Sequence, residues 1–585
     1  MKPFKTVVEV LRHVEKEYSK PNALNFQNLE NGWDSVSSKE FVEQVKMVAL
    51  GLRKLGIKKG DRVGILSNPS PRWTIADFAI MMCGGVSVPL FANISNENFE
   101  FEIKHTALKH IFVAGEEQWD MYGAFSSHFE VVISLQDEPV KHKAYNFKEF
   151  CNLGLSLEHE EPDLYENMLD EIKPGDLATI VHTSGSTGLP KGVMLSHQNV
   201  IGLVHLNPFN WDDELYLNVL PLAHIFARSI NFLMITRGIP IYYLQDITTV
   251  GDVARELHPT ILVVVPRLLE KIYSKMCAKV NQAGFLKRQI GRWAFDLANQ
   301  EEDSFIKKMM HPIADKIVYS QLRESLGNNL NAVICGGAAL NPHVYHFFLD
   351  IGVPIYEGWG QTESAVVSCN RPDNIRIGSV GLPFDGTEVK LSEEGELLVK
   401  SPLVMQGYYN EPKATKEVFT EDGWLRTGDK GAIDQDGIVS ILGRLREMYK
   451  TSTGEWIAPI PIEQELCKAP LIDIAMVVGN DKKFASCLIF PDFEILQDLK
   501  KLHNQEKLSD EAFLSSNFIK QEMDHLLYNL NKNLNHWEQL HSYRFISTVP
   551  TVLGGELTPT MKIRREIIHE KYRHLIDSMY VEEAA

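Results

Sequence analysis

The chain lacks several features that would place it in common classes of protein. Its seven cysteines, among 585 residues, form no C-x-x-C pair, which argues against a thiolate zinc site and a disulfide framework. No stretch approaches eighteen uninterrupted apolar residues, so none is predicted to span a membrane. The net charge of −18 argues against nonspecific binding to nucleic acid or to anionic lipid. We therefore expect a cytoplasmic protein and leave open peripheral contact at the inner face of a membrane.

Motifs for covalent and metal-dependent hydrolysis are also missing. The sequence contains no G-x-S-x-G nucleophile elbow and no metal-binding histidine pair of the H-E-x-x-H kind. Its content of 44% hydrophobic and 23% charged residues is ordinary for a globular protein. A chain of this length is too long for a single core, so we expect at least two domains.

Strands and helices alternate over most of the chain. Residues 62–66 and 86–90 have the pattern of buried strands, and residues 71–82 between them begin with proline and have the pattern of a helix. The alternation predicts an α/β fold with doubly wound parallel sheets covered on both faces. Further strands are predicted at 111–113, 131–134, 177–181, 193–195, 239–244, 261–265, 332–335 and 354–357, with helices from Pro266 and over 282–326.

The character of the sequence changes after Gly378. Hairpins are predicted over 389–400 and through 434–437, which indicates a small β-rich subdomain. A short charged segment, 443–450, then precedes a new pattern of strands at 474–478 and 485–490 and helices over 518–534. We predict a large N-terminal domain, 1–443, and a small α+β C-terminal domain, 444–585.

A glycine-rich loop joins the predicted strands 177–181 and 193–195. Glycine permits close approach of backbone N–H groups to a ligand, and hydroxyl groups add donors, so the loop is suited to a polyphosphate. It is not a Walker loop, because Lys191 follows Gly188 by three residues. A flexible Gly/Ser hairpin is the alternative. The loop comprises Thr183, Ser184, Gly185, Ser186, Thr187, Gly188, Leu189, Pro190, Lys191 and Gly192.

Two further glycine-rich segments follow predicted strands. Gly336-Gly337-Ala338-Ala339 comes after strand 332–335, and Gly358-Trp359-Gly360-Gln361-Thr362-Glu363-Ser364 is predicted as a turn after strand 354–357. Ligands of open α/β sheets bind beyond the carboxyl ends of strands, so all three segments are expected at one crevice. From its surroundings alone, the single histidine of the apolar segment Pro221–Arg228 is more often a core residue than a ligand contact.

Together these strings resemble the motifs of the adenylate-forming superfamily, which includes acyl-CoA synthetases, nonribosomal-peptide adenylation domains and luciferase. The resemblance covers nearly the whole chain. Pro-Leu-Ala-His-Ile-Phe at 221–226 and Leu-Thr-Pro-Thr-Met-Lys at 557–562 point to its long-chain fatty-acid group. The resemblance implies that a fatty acid is activated by Mg²⁺ and ATP to acyl-AMP with release of pyrophosphate. Transfer to CoA then gives acyl-CoA and AMP.

The resemblance also implies a role for individual residues. Lys562 would reach the substrate carboxylate and α-phosphate, Asp429 the ribose, and Glu363 the metal. Catalytic roles are implied for Lys562, Glu363, Thr187 and Lys191. Contacts to the nucleotide are implied for Thr183, Ser184, Gly185, Ser186, Gly188, Gly337, Ala338, Glu357, Gly358, Trp359, Gly360, Gln361, Thr362, Asp429 and Arg444. The acyl tunnel would be lined by His224, Phe226 and Gly336.

Trp359 departs from the pattern, because the family more often has tyrosine there, but the larger ring is still expected to stack on adenine. The segment 443–450 corresponds to the hinge on which the C-terminal domain moves. Two alternatives stay open at this point. The acyl group could pass to an acyl carrier protein, whose phosphopantetheine presents the same thiol, or the chain could be a noncatalytic relative that binds fatty acid or nucleotide.

Overall fold

A computed structural model describes residues 4–28, 32–138, 140–141, 144–183, 190–206, 209, 214–300, 304–452, 454–552, 554–558 and 562–581. The polyphosphate loop positions Ser184, Gly185, Ser186, Thr187 and Gly188 lie outside these residues. In the described part of the chain, no helix is long and apolar enough to cross a membrane.

Strands occur throughout the chain. In order they are β1 (Leu24–Gln27), β2 (Trp33–Val36), β3 (Arg62–Leu66), β4 (Val86–Leu90), β5 (His110–Val113), β6 (Val131–Ser134), β7 (Ala144–Tyr145), β8 (Leu177–Thr183), β9 (Lys191–Ser196), β10 (Tyr216–Asn218), β11 (Ile241–Tyr243), β12 (Ile261–Val264), β13 (Ala332–Gly336), β14 (Ile355–Gln361), β15 (Ala365–Cys369), β16 (Leu382–Pro383), β17 (Glu388–Leu391), β18 (Glu396–Lys400), β19 (Gly407–Tyr408), β20 (Leu425–Ile433), β21 (Val439–Arg444), β22 (Tyr449–Lys450), β23 (Trp456–Ile457), β24 (Ile472–Val478), β25 (Ala485–Pro491) and β26 (Leu540–Phe545).

Helices alternate with these strands. They are α1 (Val7–Glu17), α2 (Ser38–Lys54), α3 (Pro71–Met82), α4 (Asn96–His105), α5 (Glu116–Met121), α6 (Phe147–Glu160), α7 (Leu164–Asp170), α8 (His197–Ile201), α9 (Ile225–Arg237), α10 (Val250–Leu257), α11 (Pro266–Gln282), α12 (Phe285–Ala298), α13 (Phe305–Ala314), α14 (Ser320–Glu324), α15 (Pro342–Asp350), α16 (Pro412–Val418), α17 (Pro459–Leu466), α18 (Phe493–Leu502), α19 (Asp510–Leu514), α20 (Asn517–Asn531), α21 (Arg565–Lys571) and α22 (Arg573–Val581), with a π-helical turn at Asp315–Tyr319 after α13.

Two large sheets form the N-terminal part. One orders its strands β19-β9-β8-β4-β3-β5-β6-β7, and the other β16-β15-β14-β13-β12-β10-β11-β1-β2. The inner strands of both sheets are parallel, and antiparallel pairs occur at their edges. Helix α3 lies between β3 and β4 in the chain and is buried almost throughout, which confirms the predicted βαβ unit. The predicted α/β class with doubly wound sheets is therefore confirmed.

The later strands form smaller sheets. Strands β17, β18, β20 and β21 pair antiparallel, as the predicted hairpins require. Strand β24 pairs antiparallel with β25, which pairs parallel with β26, and helices α17 and α20 pack beside this last sheet. The apolar core around β24–β26 is separate from the core of the large sheets.

One predicted turn is wrong. Gly358, Trp359, Gly360 and Gln361 were expected in a turn but belong to strand β14, which pairs antiparallel with β15. The glycines pair in this strand because they lack side chains. A Cβ at Gly360 would come within 2.2 Å of the Ala365 carbonyl oxygen. The two backbones can therefore approach closely enough to pair, and the turn itself is confined to Thr362, Glu363 and Ser364.

Candidate active site

The hairpin of β8 and β9 carries both ends of the proposed polyphosphate loop. Thr183 and Lys191 are partners in the antiparallel register, and the Thr183 hydroxyl donates to the Lys191 carbonyl oxygen at 3.4 Å. A buried ion pair contacts β8. The Arg228 guanidinium donates to Asp77 at 2.8 Å and to the hydroxyl of Thr179, a residue of β8, at 2.8 Å. Strand pairing thus positions both ends of the loop, and the Arg228–Asp77 ion pair holds β8.

Lys191 and Glu363 come together at Tyr408, a residue that sequence analysis missed. The Lys191 ammonium lies 4.9 Å from the centre of the Tyr408 ring, and the Tyr408 hydroxyl donates to Glu363 Oε1 at 2.9 Å. Burial, and then the charge of Glu363, raises the pKa of Tyr408, so the hydroxyl keeps its proton. A tyrosine of strand β19 therefore joins the predicted phosphate lysine to the predicted metal ligand.

The ends of β13 and β14 lie side by side. Gly336 and Gly358 are partners in the parallel register, and the space where a Gly336 Cβ would lie is bounded by the Phe226 ring at 3.3 Å. His224 caps α9, and its Nδ1 accepts from the Phe226 N–H at 3.2 Å. Burial, and then the positive charge of Lys562, lowers the pKa of His224 to about 4, so the ring is neutral at pH 7. The three predicted tunnel residues are thus neighbours.

Glu357 was predicted to contact the nucleotide, and its side chain is buried. It is 3% exposed, and its Oε1 accepts from the Leu340 N–H at 2.8 Å. Burial raises its pKa to about 8. The residue therefore anchors the loop that contains Gly337 and Ala338, both of which are exposed. Gly337 has φ +91°, a backbone conformation that favours glycine.

Asp429 is the centre of a network of charge-assisted hydrogen bonds. It is 3% exposed, and its Oδ2 accepts from Trp359 Nε1 at 2.9 Å and from Gln361 Nε2 at 2.7 Å. Arg444 pairs with Oδ1 at 2.9 Å. Trp359 and Gln361 project from the same side of β14, because they are two residues apart in a strand. Strands β14, β20 and β21 thus meet at one carboxylate.

Lys562 reaches the same place from the end of the chain. Its backbone N–H donates to the Thr558 hydroxyl at 3.1 Å, and Leu557 and Ile563 form an antiparallel bridge. Desolvation, and then the charge of Arg444, lowers the pKa of Lys562 to about 8, while the charge of Asp429 opposes this shift. The charges of Arg444 and Asp429 therefore act on Lys562, and the charge of Lys562 acts on His224.

Polar contacts join the two predicted domains. Gln464 of α17 donates to the Ala339 carbonyl oxygen at 2.9 Å, and its own carbonyl oxygen accepts from the Asn341 side chain at 2.8 Å. Arg267 of α11 pairs with Asp473 of β24 at 2.6 Å. The C-terminal part therefore docks directly on the loop after β13.

Comparison with known proteins shows the family to which the chain belongs. Residues 12–409 match the model of the AMP-binding enzyme family, and residues 447–584 match that of the AMP-binding enzyme C-terminal domain. The chain belongs to the AMP-binding enzyme family. A long-chain-fatty-acid–CoA ligase of Mycobacterium bovis is 32% identical, with 97% of this chain and 96% of the relative covered. One of Xenopus laevis is 30% identical, with 94% and 80% covered.

The fold of this AMP-binding enzyme is shared with solved structures. The adenylation domain of a carboxylate reductase from Mycobacterium chelonae superposes with a TM-score of 0.75 at 20% identity, covering 99% of this chain and 92% of that domain. At that identity, the likeness concerns the fold. The matched family regions leave residues 410–446 between them, which include Asp429 and Arg444.

Proposed function

We propose that this AMP-binding enzyme is a long-chain fatty acid:CoA ligase that forms AMP. The observation that carries the proposal is the convergence on Asp429 of Trp359 and Gln361 from β14 and of Arg444 from β21, beside the loop on which the C-terminal part docks. Residues from distant parts of the chain thus converge at the end of β14. The names of the relatives from Mycobacterium bovis and Xenopus laevis support the same activity.

In the first half-reaction, a carboxylate oxygen of the fatty acid attacks the α-phosphorus of ATP, and the bond to pyrophosphate breaks. Two anions must meet in this step, so positive charge at their junction lowers the barrier. Lys562 is proposed to supply that charge, and Lys191 to hold the β- and γ-phosphates. Thr187, with Thr183, Ser184, Gly185, Ser186 and Gly188, would complete the phosphate-binding loop.

The adenosine is proposed to lie between β14 and the loop after β13. Gly337 and Ala338 leave room for a flat ring, and Gly358, Gly360 and Thr362 would contact its edge or the phosphates. Asp429 would accept from the ribose. Three protein donors already use three of its roughly four acceptor positions. A second ribose hydroxyl would therefore compete with one of these donors.

Glu363 fits a magnesium ion that is shared with the nucleotide. In the described part of the chain, no group of three or more His, Cys, Asp or Glu could hold a metal. A lone carboxylate suits Mg²⁺, which takes few protein ligands and completes its shell with phosphate oxygens and water. The ion would neutralise charge on the phosphates, while Tyr408 fixes the orientation of Glu363.

The acyl chain would lie along His224, Phe226 and Gly336. A neutral imidazole and an aromatic ring present little charge to an alkyl chain, and the absent side chain of Gly336 lets the Phe226 ring pack beside the sheet. In the second half-reaction, the CoA thiolate attacks the acyl carbonyl, and AMP leaves.

Measuring pyrophosphate release with ATP and fatty acids of increasing chain length tests the proposal. Release should require a fatty acid, and acyl-CoA should accumulate only when CoA is added. Replacement of CoA by a carrier-protein phosphopantetheine should give little thioester; efficient loading of the carrier would favour the alternative acceptor. No release with any fatty acid would contradict the proposal and favour a noncatalytic binding protein.

A further inference from the structure

Two histidines and a glutamate lie together beside the hairpin of β8 and β9. Glu102 and His105 are three residues apart on α4, so they share one face of that helix. His182 belongs to β8 and directly precedes Thr183, where the polyphosphate loop begins. Glu102 is 5% exposed and His182 is 7% exposed. We call Glu102, His105 and His182 the α4–β8 cluster.

The α4–β8 cluster forms a continuous chain of contacts. His182 Nδ1 lies 3.3 Å from Glu102 Oε2, and His182 Nε2 lies 3.2 Å from His105 Nδ1. His105 Nε2 lies 3.1 Å from the Tyr409 carbonyl oxygen, and the Phe101 ring stacks on the His105 ring. Because a carbonyl oxygen only accepts, His105 Nε2 carries a proton, and Nδ1 of the neutral His105 ring then accepts from His182 Nε2. The lone pair of His182 Nδ1 is thus left on the side of Glu102.

Glu102 and His182 are both uncharged at pH 7. Burial raises the pKa of Glu102 to about 8, so its carboxyl group keeps a proton. Burial, and then the charge of His105, lowers the pKa of His182 to about 3, so its ring is neutral. A protonated carboxyl group suits the lone pair of His182 Nδ1, whereas a carboxylate would repel it. The two side chains are therefore neutral neighbours and do not form an ion pair.

The α4–β8 cluster touches both strands that leave the polyphosphate loop. His182 of β8 and Gly192 of β9 are partners in the antiparallel register. A Cβ at Gly192 would lie 3.4 Å from His105 Cε1 and 3.4 Å from Tyr409 Cβ. The Tyr409 N–H also donates to the Gly192 carbonyl oxygen at 2.7 Å. Both ends of the loop thus pack on one pair of histidines.

We propose that the α4–β8 cluster is a positioning unit of the polyphosphate-binding site. Tyr409 follows Tyr408, the tyrosine of β19 that joins Lys191 to Glu363. By holding the ends of β8, β9 and β19 together, the cluster would keep the loop and Lys191 in place for the β- and γ-phosphates. This inference rests on the proposed function, because it requires that the loop binds the polyphosphate of ATP.

Binding of MgATP and of AMP to the full chain, measured by isothermal titration calorimetry, tests the proposal. AMP lacks the β- and γ-phosphates, so loss of the positioning unit should weaken binding of ATP alone. His182→Phe keeps a ring but removes the hydrogen bond to His105. Its Kd for MgATP should rise about threefold to tenfold, while its Kd for AMP should stay within about twofold of the wild type. His105→Phe, which removes the bond to Tyr409, should have the same effect.

His197→Phe is the matched control. His197 is 1% exposed and begins α8, after the end of β9 that lies away from the loop. Its replacement should lower the melting temperature, as replacement of His182 does, but leave both Kd values unchanged. A selective loss of ATP affinity in this control would overturn the proposal. So would equal losses of ATP and AMP affinity in His182→Phe, because the cluster would then only support the fold.

Two further arrangements make the test decisive. If His182→Phe does not fold, His105→Phe decides the outcome, since the His105 side chain is only half-buried. The Kd values need no turnover, so they decide this inference whether or not the wild type releases pyrophosphate. Absence of pyrophosphate release would contradict the ligase activity, whereas absence of MgATP binding by the wild type would overturn the positioning unit as well.

Glu102→Gln tests the uncharged state of the cluster. Glutamine has the shape of a protonated carboxyl group and cannot ionise, so affinity for MgATP should be retained. Because the pKa of Glu102 is raised on folding, the wild type should lose stability as pH rises from about 4.5 to about 8. The melting temperature of Glu102→Gln relative to the wild type should therefore increase over that range. A relative decrease would reveal an ion-paired carboxylate and overturn the proposal.

Discussion

At the scale of single residues, several side chains of the candidate site orient two carboxylates through hydrogen bonds and an ion pair. Trp359 and Gln361 donate to one oxygen of Asp429, Arg444 pairs with the other, and Tyr408 donates to Glu363. Trp359 is 7% exposed and packs against valines of β15 and β18. Its indole N–H therefore orients the Asp429 carboxylate, which is a role separate from the proposed stacking of the ring on adenine.

Replacement of Trp359 separates these two roles. Trp359→Phe keeps an aromatic ring but removes the donor to Asp429. A hydrogen bond to a charged group contributes about 1.5–3 kcal/mol, so we expect KM for ATP to rise roughly tenfold to a hundredfold while kcat changes little. Trp424→Phe, at a tryptophan outside this network, is the matched control. An unchanged KM in Trp359→Phe would show that the indole N–H does not position Asp429.

The pH dependence of the first half-reaction reports the charge of Lys562. Its pKa is lowered to about 8, so the ammonium loses its proton as pH rises through that value. kcat/KM for ATP in pyrophosphate release should therefore fall above pH 8, since this parameter reports groups of the free enzyme. Lys562→Arg keeps its charge at all accessible pH values, and the alkaline fall should vanish even if the rate is lower. The same fall in both enzymes would assign it to another group.

At the scale of elements, the β14–β15 hairpin positions most of the site. Glycines at 358 and 360 permit close pairing, and the hairpin carries Trp359 and Gln361 on β14 and Glu363 in the turn before β15. A strand pairing that needs such close approach should be sensitive to one added methyl group.

Gly360→Ala tests this pairing. The new Cβ would approach the Ala365 carbonyl oxygen to 2.2 Å and Val366 Cα to 2.9 Å, and neither backbone atom can move without disturbing the hairpin. We expect a loss of about 1–3 kcal/mol in the free energy of unfolding, measured by denaturant titration, and weaker pyrophosphate release. Gly175→Ala, whose Cβ would have nothing within 4 Å, should behave like the wild type. Equal stability of the two variants would contradict the close pairing.

Local patterns predicted much of this architecture. Strands β3 and β4 and helix α3 have the predicted bounds, because their apolar periodicity and an N-terminal proline are properties of adjacent residues. The contacts that complete the site were not predictable in this way. The bonds from Trp359 to Asp429 and from Tyr408 to Glu363 join residues 70 and 45 positions apart. Such pairs depend on tertiary packing, which one sequence does not display.

The lack of information on tertiary packing explains two other differences between the predictions and the structure. The charged stretch 282–326 was predicted to be helical and is largely so, but its charges did not reveal that Phe305 would be exposed and Lys307 buried. The turn predicted after residue 357 failed because glycine has two uses, in turns and in close strand pairing. Only the partner strand distinguishes them.

At the scale of the whole molecule, the C-terminal part docks on the N-terminal part, and the charges of Asp429 and Arg444 act on Lys562. The Gln464 contacts with the loop after β13 and the Arg267–Asp473 pair stabilise this arrangement. The boundary between residues 443 and 444, and rotation about it, stay predictions. If the domain does rotate between half-reactions, Lys562 takes part in only one of them.

The central claim is therefore tested most directly by single-turnover rates of the two half-reactions in Lys562→Ala. Loss of one preorganised charge at the reacting centre typically costs ~10²–10³ in rate. Acyl-AMP formation should slow by that factor, while thioester formation from supplied acyl-AMP and CoA should stay close to the wild-type rate. Slowing of both half-reactions by the same factor would contradict the account, because Lys562 would then act in both poses or only support the fold.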